Sequence, residues 1–226
     1  MIESQDNRPV PLVQATGGVV YPPGAGRRQR RAAETRLRLF RCALHLFAER
    51  GFPSVTVEDI TEAADVGKGT FFNYFESKDH VLGVMAEVQL AKVREAISVS
   101  VKGKQTIHSV LHHLVQRLAE EPGRSPSLAR AFLSSFLASE SVRTIIARTM
   151  QEGCEIIAEV VAAGQERGEI DPRLKKEKVA IQLQQTCMGT VLFWSLDGTS
   201  ELKARIEDSF QHFWRAIAAS TQKQEL

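Results

Sequence analysis

Between Lys68 and Phe75 the chain reads Lys-Gly-Thr-Phe-Phe-Asn-Tyr-Phe. An ammonium, a hydroxyl, an amide and a phenol stand close together there, with a glycine among them. These groups form the hydrogen bonds that base edges and phosphates accept and offer. Wound at about 100° per residue, Phe71 and Phe75 fall together on one side of a helix. Gly69, Thr70, Asn73 and Tyr74 point elsewhere, and Lys68 projects from the first turn. A helix this short is not stable alone, so the two rings must anchor it. The face left over is small or hydrogen-bonding, and it suits close approach to a nucleic-acid groove. The plainer alternative is a solvated short helix between two others.

The flanking elements would position that rod. Thr56 is a good N-cap for a preceding helix, with Glu58 and Asp59 in its first turn, where acid favours the positive helix end. Val57, Ile60 and Ala64 share one apolar face. Asp65-Val66-Gly67 breaks the helix, the glycine supporting a turn and the valine plugging the angle between helices. Upstream, Leu37, Phe40, Leu44 and Phe47 form an amphipathic stripe on a helix expected from about Ala32 to Arg50 and stopped by Gly51. Downstream, Ser77 is expected to cap a helix running to about Val99. Arg27 to Arg41 holds seven arginines against one acid, Glu34, so basic charge concentrates beside the rod as a phosphate footprint requires. Residues 1–26, with four prolines, read as a flexible arm. The arginine run ending at Arg31 would lie along phosphates or enter a minor groove.

The run T-V-E-D-I-T-E-A-A-D-V-G-K-G-T-F-F-N-Y-F-E-S-K-D, placed after the first helix, closely resembles the DNA-binding domain of the TetR (tetracycline-repressor-like) family of bacterial regulators. The resemblance covers roughly Thr35 to Val84. It implies an all-α fold, with an N-terminal three-helix helix-turn-helix domain and a C-terminal helical ligand-binding and dimerisation domain. Carried onto matching positions, it implies that Lys68, Gly69, Thr70 and Asn73 face base edges. Thr56, Tyr74 and Lys78 would bind phosphates, with Arg31 added from the basic arm; such contacts position the protein without reading sequence. Two positions depart from the pattern. Gly67 stands where many members have a small capping residue, and Phe72 stands where many have Tyr.

Beyond residue 80 the periodicity predicts five further helices after the linking one, at about 106–120, 127–138, 141–167, 175–196 and 201–220, with a break at Gly103. The expected organisation is an arm (1–26), a DNA-binding domain (27–80) and a ligand-binding and dimerisation domain (81–226). Phe132, Phe136, Met150, Cys154, Gln184, Cys187, Met188 and Phe193 are candidate pocket residues, a lining suited to a mostly apolar small molecule. The last two helices are the candidate dimer interface, through Trp194, Ile206, Phe210, Phe213 and Ile217, the alternative being that both stripes fill the monomer core.

Composition excludes little by itself, since a net charge of +2 over 226 residues does not argue for nucleic acid. Cys42, Cys154 and Cys187 are odd in number, widely spaced and without a CxxC, which argues against disulfides and zinc and fits a reducing cytoplasm. His108 and His112 have metal-compatible spacing but lack the Glu of HExxH. Nucleophile-elbow, phosphate-loop and dinucleotide motifs are missing, so an enzyme is not expected, nor a cofactor. Val179 to Leu196 is uncharged for 18 residues, but its glutamines favour a buried core helix over a membrane span. The expected partners are an operator in double-stranded DNA, a small-molecule effector and a second copy of the chain. The expected function is a ligand-responsive regulator, by family default a repressor. The alternative is a helical protein-interaction module without DNA binding.

Overall fold

The computed structural model describes residues 26–102, 105–138, 140–198 and 201–219, with side chains described except at 99–102, 135–138 and 141. The expected arm and the break at Gly103 fall on or beside residues outside these. Helices α1 (Arg27–Arg50), α2 (Val57–Ala63), α3 (Lys68–Phe72) and α4 (Lys78–Lys102) come first. Then follow α5 (Ile107–Leu118), α6 (Pro126–Ala138), α7 (Glu140–Glu166), α8 (Lys176–Asp197) and α9 (Leu202–Ile217). The only β-type pairing among the described residues is an isolated bridge between Ile170 and Ala218, which ties the turn after α7 to the end of α9.

Local sequence explains the early elements. α1 begins at Arg27 and not near Ala32, so the arginine run is the first part of a helix. Arginine is a good helix former, and the Gly/Pro punctuation ends at Gly26, whose N–H donates to Gln29 Oε1 at 3.1 Å. α2 opens on a reciprocal cap: the Asp59 N–H donates to Thr56 Oγ1 at 3.1 Å, and the Thr56 N–H donates to Asp59 Oδ2 at 2.7 Å. After α2 the left-handed residue is Asp65, at φ 49°, and not the expected Gly67, which has an ordinary extended backbone at φ −73°. Aspartate tolerates that conformation, so the turn does not need the glycine. Ser77 Oγ accepts the His80 N–H at 3.2 Å, capping α4 as expected.

Two apolar cores result. The first gathers the inner stripe of α1, Ile60, Phe71, Phe75 and Val81 to Val88 of α4, and it continues into Phe132 of α6 and Ile146 of α7. The second gathers α5, the C-terminal half of α7, α8 and α9 around Trp214 and Phe210. α4 belongs to both and is about 37 Å long at 1.5 Å per residue.

Candidate functional site

The short rod is built as its residues require. Phe71 and Phe75 are 0% and 1% exposed, with ring centroids 5.3 Å apart, and they lock α3 and its C-terminal turn onto the first core. The helix stops at Phe72, so Asn73 caps its end and Tyr74 lies beyond it. Lys68, Gly69 and Asn73 are exposed, Thr70 and Tyr74 half-buried, and Tyr74 packs against the core. Phe72 presents its ring outward, at 50% exposure. A Cβ added at Gly67 or Gly69 would meet nothing within 4 Å, so no intramolecular contact requires either glycine.

The charged groups nearby are already engaged. Lys68 Nζ is ion-paired with Glu58, and both side chains are exposed. That hydrogen bond holds the Glu58 carboxyl below its ordinary range, and hydrogen bonds from Thr56 do the same for Asp59. Thr56 is exposed, with its hydroxyl committed to Asp59 in the α2 cap. Lys78, expected at a phosphate, instead donates to the carbonyls of Phe52 and Val55, both at 2.8 Å. It also sits 4.4 Å from the centroid of the Phe52 ring. The Phe52 carbonyl also accepts the Val55 N–H at 3.4 Å, so the ammonium adds a second donor there and ties the turn to the Val55 carbonyl beyond it. Along α1, Arg27, Arg30, Arg31, Arg38 and Arg41 are all exposed on the side opposite the core. Arg36 faces the other way, bonding Glu87 at 3.2 Å.

α4 carries this head to a second feature, an apolar cavity of about 130 Å³ between α4, α6, α7 and α8. Phe132, Met150, Gln184, Cys187 and Met188 line it. Cys154 lies behind the wall, its Sγ donating to Gln184 Oε1 at 3.1 Å. The Phe136 side chain lies outside the described residues. Phe193, also expected here, points outward at 68% exposure, because its turn of α8 faces away from α7. Sequence reasoning missed the contribution of α4, above all Gln89 and Leu90, together with Thr149 and Gly153 on α7. Gly153 lets α7 and α8 approach: a Cβ there would lie 3.1 Å from Gln184 Nε2. The three cysteines are free, and burial pushes the Cys187 thiol up to about 12, so it stays protonated.

The expected dimer stripe needs correction. Trp194, Ile206, Phe210, Phe213 and Ile217 are all buried within the protomer. The rings of His108 and His112, at 5.4 and 5.3 Å, pack against Phe210, and Trp214 meets His108 at 4.9 Å. These histidines therefore pack, and His112 pairs with Glu207. Among the described residues no group of His, Cys, Asp and Glu is arranged to hold a metal. The apolar surface left over lies on α8, where Ile181, Leu192, Phe193 and Leu196 are exposed, so α8 is not the wholly buried helix expected. No described helix is long and apolar enough to cross a membrane.

A capped helix, a tight turn and a pinned rod with a polar outer flank, joined by one long helix to a cavity-bearing bundle, define an all-helical DNA-binding regulator of helix-turn-helix type. Residues 39–85 match the family described as bacterial regulatory proteins, tetR family. The chain is 25% identical over 158 residues to the HTH-type transcriptional repressor DhaR of Mycobacterium sp. (strain GP1), covering 69% of this chain and 80% of that one. It is 48% identical over 60 residues to the HTH-type transcriptional regulator TcmR of Streptomyces glaucescens, 26% of each chain. Among solved structures, the TetR-family transcriptional repressor FadR of Thermus thermophilus, in complex with lauroyl-CoA, superposes with a TM-score of 0.58 at 27% identity. That match covers 79% of this chain and 92% of the other. Over residues 39–85 the chain thus matches the DNA-binding domain of the TetR family, and its fold as a whole is similar to that of a solved repressor of that family.

Proposed function

We propose that this protein is a homodimeric repressor that holds a pseudo-palindromic operator through α3 and is released when a small, mostly apolar molecule fills the cavity. The observation that carries this reading is the outer flank of α3. Lys68, Gly69 and Asn73 are exposed on a rod that two buried rings hold still. Gly69 has open space where a Cβ would go, which favours an external surface approaching the backbone there. In this reading Lys68, Gly69, Thr70 and Asn73 meet base edges, while Thr56, Tyr74 and Arg31 lie near phosphates. Lys78 serves mainly by fixing the turn before α2. A domain division near residue 80 fits the change of role along α4, although the first core runs on to Val88. Relatives named as repressors support the direction of regulation, and a relative solved with lauroyl-CoA, whose acyl chain is apolar, supports an effector with an apolar part. DNA binding puts the protein in the cytoplasm and not at a membrane, as a regulator with no enzymatic step.

One rod reads only a few bases, so two are needed. The exposed face of α8 is the surface we assign to the partner copy, because a contiguous apolar patch on one helix favours being covered. The test is in-vitro selection of random duplexes by the purified full-length protein, with a gel shift on the winners. An inverted repeat with half-sites about one helical turn apart is expected. No enrichment over the input pool would leave the protein-interaction alternative in its place.

A further inference from the structure

We propose that Phe72 is a specificity-determining residue of the reading head, its ring packing on the C5-methyl group of one thymine in each half-site. This rests on the reading of α3 as the helix that enters the major groove.

Phe72 is the last residue of α3 and is 50% exposed. Single exposed apolar side chains are ordinary on a protein surface, but this one stands apart in its place and its support. The other large apolar side chains exposed among the described residues, Ile181, Leu192, Phe193 and Leu196, all lie on α8. At about 3.6 residues per turn, Phe72 projects about 40° from Lys68 and about 60° from Gly69 around the helix axis. It therefore shares the outer flank with Lys68, Gly69 and Asn73, all exposed. Its ring meets that of the buried Phe71 edge to face, with centroids 5.5 Å apart and planes at 85°. Phe71 belongs to the first core, so the Phe72 ring rests on a fixed support. A side chain braced in this way loses little freedom when a second surface closes on it.

The chemistry of the ring narrows what that surface is. A phenyl group has no hydrogen-bonding atom to offer, so phosphate oxygens gain nothing from it. Base edges in the major groove present ring nitrogens, carbonyl oxygens and amino groups, and one apolar group, the thymine methyl. Pressing the ring on the polar groups strips water from them without replacing its hydrogen bonds. On the methyl, the same contact buries apolar surface on both sides. The neighbouring Gly69 carries no side chain to hold the ring away from the bases.

The test uses the full-length protein and the duplex it selects, with each thymine replaced in turn, in both half-sites, by deoxyuridine, which lacks only the methyl. Gel-shift competition is expected to find one symmetric position where the replacement weakens binding, about fourfold per half-site and about fifteenfold for the two together. Phe72→Ala and Phe72→Gln should each bind the thymine and deoxyuridine duplexes equally, with unfolding nearly unchanged; if one of them fails to fold, the other decides. Indifference of the unaltered protein to deoxyuridine at every position overturns the proposal and leaves the regulator reading standing. A methyl effect that persists in the variants assigns the contact to another side chain and overturns it too. Loss of folding in both variants means that the ring serves the fold, with the same result. Selection that enriches no duplex overturns the regulator reading itself, and this inference with it.

Discussion

Helices α3 and α9 each carry aromatic residues at helical spacing, and the structure treats what remains of each helix differently. In α3 and the turn after it, Phe71 and Phe75 turn inward and leave a polar flank, with the Phe72 ring beside it, in solvent. In α9 the rings also turn inward, although the sequence suggested a surface for a second copy. The apolar face that stays exposed is on its neighbour, α8. Periodicity reports that one side of a helix is packed, but not what packs against it. α3 escapes this ambiguity because it is only five residues long and its partners are adjacent in the chain. α9 packs not only on the adjacent α8 but also on α5, about a hundred residues earlier, and that second partner is the one local pattern does not disclose.

Five substitutions would test that contrast. The largest effect is expected from Phe210→Ala, a loss of about 3–5 kcal/mol of stability from a closed core, read by thermal or denaturant unfolding. Its counterpart Phe193→Glu, on the exposed face of α8, should leave the protomer folded and shift sedimentation from dimer to monomer. If Phe210→Ala merely dissociated the dimer, the contrast between α8 and α9 would be wrong. Next is Lys78→Ala, which removes the charged donor from two carbonyls and should cost about 1.5–3 kcal/mol of stability. A change in DNA affinity with unfolding unaltered would return Lys78 to the phosphate role.

Asn73→Ala should cost about 1–3 kcal/mol of discrimination at one operator position if its contact is bidentate, read by competition between single-base variants. It should leave unfolding nearly unchanged, because the side chain is exposed. The smallest stability effect belongs to Gly69→Ala. Nothing in the fold obstructs the added methyl, and alanine favours helix by up to about 1 kcal/mol. Stability should hold or rise slightly while DNA affinity falls. A fall in stability would mean that the glycine serves the fold and not the duplex.

How much the sequence discloses follows the same division. The α2 cap was legible because Thr56 and Asp59 stand three apart, and the pinned rod because Phe71 and Phe75 stand four apart. The role of Lys78 was not legible, since the carbonyls it satisfies lie more than twenty residues upstream. The start of α1 was obscured by the proline-rich stretch before it. In the cavity, Met150 and Gln184 were found by residue type. Gln89 was missed because its facing depends on where α7 crosses α4, which no local pattern states.

Ala86, Phe132 and Ile146 line the cavity and also belong to the core that seats the reading head. The two sites thus share a party wall, with no long relay between them. Binding free energies at two linked sites change each other by the same factor. A molecule that loosens the grip on DNA through this wall must itself be held more weakly while the operator is engaged. The effector concentration needed to free an occupied operator would then exceed the dissociation constant measured on the protein alone.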